Sequence, residues 1–474
     1  MKYIRKQSGL SILMVLFGLG PLAKVEGCDT FVALPNATAA RLTILGKNSD
    51  RPRFDAQPLM FHPHQSWSEG ATIDLGRLKI PQVKETLATM GSSPYWCWGY
   101  EEGINEFGVA IGNEGVHTKA LNAAIASYKK GSAPPFGPTG MDLLRLGLER
   151  GKTARETLEA MTGLVEKYGQ FGSGHPTEGV DGSYDNSFII ADSKEAFVLE
   201  TAGTRWAAKR FTQGTTSISN KLGISTAWDL ASRDLVDYSV QQGWWQKNAS
   251  VPFSFDIAYT GDTARDKRGL ESASTRVSCT GRLLHEKAGD VTLRWMMRVA
   301  RDRSTQPSVD NDGTATSCVA TLPASRQDLP VFWWCASRPS NGCYVPYFVN
   351  GSRIPEIVSQ AGTFGRRIMP PDAVQRDAFA ATSYWWLSKD LSDKVDADWA
   401  ARNPIVRSEF DALEDEFATG VPALVKKAVS LRQSGKPKEA AVLLDQYSAS
   451  CLDKALKKIQ DLRRRFEGVT SASR

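Results

Sequence analysis

The sequence predicts a layered α/β protein with a helical extension at its C-terminus. Three observations point there. Short runs of strand formers bounded by turn residues fill much of the first 350 positions, amphipathic helical segments interrupt them, and two long apolar stripes at helical spacing follow residue 400.

The strand runs are 31–34, 42–45, 109–112, 187–191, 196–200 and 206–211, and Asp192-Ser193-Lys194-Glu195 reads as the turn between two paired strands. Helices are predicted over 140–150 and 154–168; in the second, Leu158, Met161, Leu164 and Val165 recur at helical spacing. Runs 331–337 and 343–349, separated by Arg338-Pro339-Ser340-Asn341-Gly342, predict another hairpin. Val406, Phe410, Leu413, Phe417, Val421, Leu424 and Val425 form one late stripe, and Leu443, Leu444, Tyr447, Leu452, Leu456, Ile459 and Phe466 the other. Gly435-Lys436-Pro437 breaks them into a helical hairpin. Three Pro/Gly-rich stretches, 131–140, 172–182 and 304–316, read as long loops of the kind that line or cover active sites.

The first residues read as a secretory signal. Lys2, Arg5 and Lys6 precede a run, 10–22, that is apolar apart from Ser11, Gly18, Gly20 and Pro21. That run is shorter than the ~20 residues a membrane span needs, and no later segment is long and apolar enough either. Cleavage after Ala23 leaves Lys24-Val25-Glu26-Gly27 as a short propeptide; cleavage after Gly27 makes Cys28 the first residue. Both remain open. A bacterial lipoprotein signal also ends at a Cys, but it wants small or apolar residues just before it, and Glu26 fits badly. Sequons at Asn36, Asn248 and Asn350 suit a eukaryotic secretory route, with signal peptidase as the processing partner and the cell exterior or a lysosome-like vesicle as destination.

Loss of residues 1–27 removes four bases and one acid and lowers the net charge from +6 to +3. Lys and Arg are scattered, so nucleic acid is not implied. Besides Cys28 there are Cys97, Cys279, Cys318, Cys335, Cys343 and Cys451. They form either up to three disulfides or a set of buried thiols; their spacing offers no zinc site.

A processed Cys28 carries a thiol and a free α-amine, a nucleophile and a general base on one residue. Runs 28–34 and 42–48 are separated by Pro35–Arg41. Folded back as an antiparallel pair bending near Thr38, they set residue 28 opposite about residue 48, with Asn48 and Asp50 beside the amine. Asp50 is well placed as the carboxylate such an amine needs once it has taken the thiol proton; the other reading of Lys47-Asn48-Ser49-Asp50 is a polar strand end.

Cys-Asp-Thr-Phe-Val-Ala-Leu-Pro from residue 28, followed by Gly-Lys-Asn-Ser-Asp-Arg-Pro from residue 46, resembles the start of secernins. These belong to the dipeptidase A-like branch of the N-terminal nucleophile (Ntn) cysteine hydrolases, related to penicillin V acylase and bile salt hydrolase. The segments 103–113, 186–192 and 200–203, then Trp206, 218–220 and the region from Trp334 to Pro346, are similar to the family's later motifs, in order. The resemblance implies a four-layer αββα sandwich over 28–400, with 401–474 as a helical hairpin packed on it. It implies amide hydrolysis with Cys28 as nucleophile and Asp50 as partner of its amine. Asn113 would be an oxyanion donor, Asn220 a polar residue facing the reacting carbonyl, and Arg276 an arginine near the thiolate. The acylase relatives place an arginine where this chain has Lys47, which agrees with the secernin pattern instead. No metal or other cofactor enters this scheme.

Other constellations carry less. His62-Pro63-His64 lacks a Cys or acid at ligand spacing, and no Gly-x-Ser-x-Gly elbow is present. Glu101-Glu102 reads as a solvated turn. Trp244-Trp245, Trp333-Trp334 and Trp385-Trp386 read as core or hairpin packing ahead of a ligand groove. The expected function is a cysteine dipeptidase acting on short peptides. An N-acyl amidase or acylase is the second reading and a secernin-like interaction protein the third; among partners, a second copy of the chain in a homo-oligomer is also expected.

Overall fold

Segments 29–33 and 43–50 are buried on both faces, which is why they read as continuous runs rather than alternating ones. A computed structural model describes residues 27–132, 135–248, 250–325 and 328–467; the predicted leader, up to residue 26, lies outside them.

Two antiparallel sheets form the body. The six-stranded sheet has the order Thr215–Ser219, Asp29–Ala33, Thr43–Asp50, Thr314–Leu322, Val331–Ala336, Val345–Tyr347. The eight-stranded sheet runs Leu230–Ala231, Arg205–Phe211, Ala196–Ala202, Asp185–Ala191, Ala110–Val116, Glu102–Asn105, Thr89–Ser92, Leu59–His62. They meet where Asp29–Ala33 packs on Ala110–Val116 and Asp185–Ala191. Helices Gly140–Arg150 and Ala154–Tyr168 cover the outer face of the larger sheet; Ala264–His285 and Leu293–Ala300 cover the smaller. The result is a four-layer αββα sandwich.

The sheets approach so closely at one point that a side chain would not fit. A Cβ on Gly112 would lie 2.5 Å from Thr30 Oγ1 and 2.6 Å from Lys47 Cδ. Helix starts are set by local chemistry: Thr139 with Asp142, and Thr263 with Asp266, form capping boxes at the heads of Gly140–Arg150 and Ala264–His285. The second box, Thr-x-x-Asp, was available in the sequence as a sign of a helix carrying Arg276.

The late stripes become Trp399–Gln433 and Pro437–Glu467, turning at Gly435 in the left-handed region (φ 75°). A buried carboxylate fastens the first of them to the sandwich. Glu414 accepts from Arg301 at 2.5 Å, Arg294 at 2.7 Å and the Tyr344 backbone N–H at 2.9 Å.

Cys28, Cys97, Cys279, Cys318, Cys335, Cys343 and Cys451 are all buried free thiols, so of the two cysteine readings the structure has the second. Trp333, Trp334 and Trp385 are core residues. Among the sequons, Asn36 and Asn248 are exposed; Asn350 is half-buried and its Nδ2 donates to the Glu106 carbonyl.

Candidate active site

The first hairpin pairs Asp29 with Asn48, so residue 28 faces Ser49, one position later than the sequence suggests. Side chains alternate across a strand, so this shift decides what each residue sees. Asn48 turns away from Cys28, and its Nδ2 donates to the Ala300 and Val309 carbonyls at 2.7 and 3.0 Å. Asp29 also pairs with Ser219 on the other side. Cys28, Asp50 and Asn220 therefore arrive together at one end of the six-stranded sheet, although Asn220 is distant in the chain.

Cys28 is buried, and its Sγ accepts the Asp50 backbone N–H at 3.2 Å. The Asp50 carboxylate is held from three directions: by the Gly27 N–H at 3.1 Å, by Thr314 Oγ1 at 2.8 Å, and by a close bond from Asn311 Nδ2. Arg276, near the middle of Ala264–His285, donates from Nη1 to the Gly27 carbonyl (2.5 Å), the Cys28 carbonyl (2.9 Å) and Asp29 Oδ2 (2.8 Å). Its Nη2 donates to Asn220 Oδ1 at 2.9 Å, and Asn220 Nδ2 to the Gly115 carbonyl at 2.8 Å. The Gly27–Cys28 peptide thus lies between a fixed carboxylate and a fixed guanidinium. A Cβ on Gly27 would fall 2.0 Å from Arg276 Nη2 and 2.4 Å from Asn220 Oδ1, so a larger residue there would displace the ends of both side chains.

The inter-sheet side of Cys28 is charged. Lys47 is fully buried; its Nζ donates to the Asn113 carbonyl at 2.6 Å and lies 3.7 Å from Glu114 Oε1. Burial alone would lower the Lys47 pKa, but Cys28, Glu114, Glu101 and Glu102 together raise it, so it stays a cation. Burial pushes the Cys28 thiol up to about 12, with Lys47 opposing and Glu101, Asp50 and Glu114 adding to the rise. The thiol is therefore protonated and needs a base to react.

Asn113 is placed differently from the other four residues. Its side chain lies between Asn186 and Glu101, and its amide nitrogen, turned toward Glu101, donates to that residue's carbonyl at 2.8 Å and to Oε2 at 3.0 Å. Cys28, Asp50, Asn220 and Arg276 form one connected network with Gly27. The Asn113 side chain is bonded to none of these four, and it is not on the cavity wall.

Glu101 and Glu102 correct the reading of a solvated turn, for both are buried. Glu101 pairs with Arg51 Nη1 at 3.1 Å, while Glu102 accepts from Thr316 Oγ1 at 2.8 Å. Consecutive residues face opposite sides, and here both sides are inside the protein. The sequence reading also missed Asn311 and Thr314 as partners of Asp50; its only signal was that loop 304–316 was expected near a site. The predicted loop 172–182 supplies His175 and Glu178 to the wall of a cavity of about 580 Å³ that opens over Cys28, Asp50 and Asn220.

Buried acids give a pH dependence. Burial raises Asp29 to about 7 against Arg276, Glu102 and Glu200 to about 7, and Glu114 to about 8. Their ordinary values are 3.8 and 4.5, so the native state binds more protons than the unfolded chain across the interval. Their contribution is present at low pH and is lost as pH rises through 7 to 8. Buried His62, His117 and His175 lie below their ordinary 6.5 and act the other way, but above about pH 7 they are largely neutral in both states. The thermal midpoint is expected to fall by a few degrees between about pH 7 and 8.5 in a melting series. A flat or rising curve would contradict these assignments.

The model of peptidase family C69 matches residues 31–279, just over half of the chain. The chain belongs to peptidase family C69. The match begins three residues after Cys28 and takes in Asp50, Asn113, Asn220 and Arg276. Among solved structures, the chain is similar to a mutant of conjugated bile acid hydrolase from Clostridium perfringens, at 12% identity and TM-score 0.37, over 69% of this chain and 93% of that one. It is also similar to the Caenorhabditis elegans ortholog of N-acylethanolamine-hydrolyzing acid amidase, at 16% identity and TM-score 0.29, over 63% and 95%. As a C69 member the protein is a cysteine peptidase-type hydrolase.

Proposed function

We propose that this hydrolase is a cysteine dipeptidase whose nucleophile is Cys28 and whose base is the α-amine released when the chain is cut after Gly27. The convergence of Cys28, Asp50 and Arg276 around the Gly27–Cys28 peptide carries this reading. In the uncut chain the Cys28 nitrogen is an amide and cannot act as a base. Removal of Gly27 vacates one bond to the Asp50 carboxylate, which then takes the new ammonium.

The amine accepts the Sγ proton, directly or through a water, as sulfur attacks the substrate carbonyl. Lys47, a permanent cation on the inter-sheet side, stabilises the thiolate that burial otherwise disfavours. Asn220 Nδ2, on the cavity wall, is the side-chain donor for the tetrahedral oxyanion. Asn113 acts through Glu101, whose position it holds. Collapse expels the leaving amine with the proton carried by the α-amine and leaves a thioester on Cys28; water attacks that thioester and the acid product departs.

The leader, with Gly27 last, makes the uncut chain a zymogen bound for the secretory pathway. In an acidic vesicle more of the amine is protonated and the rate falls. The test is a panel of dipeptides and N-acyl amino acids assayed with wild type, Cys28→Ser and Cys28→Ala. Wild type is expected to turn over dipeptides and both variants to lose that activity. Turnover of N-acyl compounds alone would replace dipeptidase with acylase.

A further inference from the structure

We propose that Arg268, flanked by Arg265 and Lys221, binds the terminal carboxylate on the leaving portion of the substrate. The inference rests on the peptidase reading above and deepens it.

It starts from which charges on the cavity wall are already committed. The acids there are Asp50, Glu101, Glu178 and Asp266. Asp50 is held by Gly27, Asn311 and Thr314, and Glu101 by Arg51 and Asn113. Asp266 is spent on the helix cap, accepting from the Thr263 N–H at 3.0 Å, and on Asn122 at 2.9 Å. Arg51 is taken up by Asp55 and Glu101. The two histidines add no charge near neutral pH. Burial lowers His117 to about 4, aided by Arg265 and opposed by Asp266, and burial puts His175 well below its ordinary value.

What remains uncommitted is mostly positive. Arg268 makes no hydrogen bond or ion pair among the described residues. Among the same described residues, the Arg265 side chain donates only to the Asp181 carbonyl, at 2.8 Å, and that of Lys221 only to Ser274 Oγ, at 3.3 Å. Against these three cations stands Glu178 alone. An anion entering the cavity meets donors that have no carboxylate of their own.

The helix places them at a useful depth. Residues 265, 268, 272 and 276 fall three, four and four apart, so they share one face of Ala264–His285. Arg276 at the bottom of this stripe touches Cys28. Arg268 stands eight residues up, roughly 12 Å along the axis, and lines the same cavity as Cys28. A scissile carbonyl at Cys28 and a terminal carboxylate at Arg268 then bracket a short leaving group within one cavity of about 580 Å³. A planar guanidinium matches a carboxylate through two parallel bonds. Recognition of that end confines cleavage to a bond close to a free C-terminus.

The test compares kcat/KM for Ala-Ala and for Ala-Ala amide, which lacks the terminal charge, using the processed enzyme that begins at Cys28 and its Arg268→Ala, Arg268→Lys and Arg265→Ala/Arg268→Ala variants. Wild type is expected to prefer the acid by about tenfold or more. Arg268→Ala is expected to erase about 10- to 100-fold of that preference, mainly through KM, with partial recovery in Arg268→Lys. An unchanged acid-to-amide ratio in the double variant would overturn the carboxylate site and leave the peptidase reading standing. Equal losses on both substrates would also overturn it, by showing a structural role. Turnover of neither peptide by wild type would remove the dipeptidase reading and this inference with it.

Discussion

Cys28→Ala is expected to lower peptide hydrolysis by about 10⁴-fold or more while leaving the fold nearly as stable as before. The two halves of this expectation have separate causes. The Cys28 thiol is buried beside Lys47, Glu101, Asp50 and Glu114, and burial pushes its pKa up to about 12, as it does for Cys335 and Cys451; what sets Cys28 apart is its place on the cavity wall beside Asp50. Its sulfur makes few bonds of its own; the one close contact is the Asp50 N–H at 3.2 Å. Alanine therefore removes the reacting atom and little packing. Cys28→Ser keeps a hydroxyl in place but offers a far weaker nucleophile, so its residual rate should lie close to that of Cys28→Ala. Steady-state rates and urea melts on the same preparations check both halves. A Cys28→Ala enzyme with wild-type turnover would remove the residue from the reaction.

Arg276→Ala is expected to cost both activity and stability. Arg276 is 1% exposed and Asp29 fully buried, and the two pair at 2.8 Å. Removing one partner of a buried pair leaves the other charge uncompensated, typically at about 3–5 kcal/mol. Without the arginine, burial of Asp29 is unopposed and its pKa climbs further, so the variant should recover stability as pH falls. Catalysis should drop by about 10²-fold or more, because Asn220 loses the group that orients it and the sheet end loses its clamp on Cys28. Arg276→Lys keeps a charge for Asp29 but not the fork that reaches Gly27, Cys28 and Asn220 together. It should restore more stability than rate. Urea unfolding with kcat on the three proteins separates the terms, and a stable, active Arg276→Ala would contradict the arrangement.

Much of this architecture was legible because local chemistry and burial agree. The 140–150 and 154–168 helices and the Asp192–Glu195 turn follow from periodicity and turn residues that tertiary packing does not override. Cys28 and Asp50 were legible because one hairpin joins them. The register was missed by one residue, since the 3-10 turn at Pro35–Ala37 is not specified by an apolar pattern. Glu101 and Glu102 were misread because buried charge looks like surface charge in a sequence; only the partners, Arg51 and Thr316, distinguish them. Asn311 and Thr314 meet Asp50 through the pairing of Thr314–Leu322 with Thr43–Asp50, a contact between distant strands that no local pattern announces. The resemblance to the Ntn cysteine hydrolases carried Asn220 and Arg276, and the geometry joins them to Cys28 through Ser219 and the helix beginning at Ala264.

The base in this mechanism exists only after the Gly27–Cys28 bond is cut, so the N-terminus of the active enzyme is the most direct test. Mass spectrometry of the purified, peptide-hydrolysing protein is predicted to show a chain beginning at Cys28 with a free α-amine, and chemical blocking of that amine should abolish turnover. A fully active enzyme that begins at Lys24, or whose Cys28 is acylated, would contradict the account.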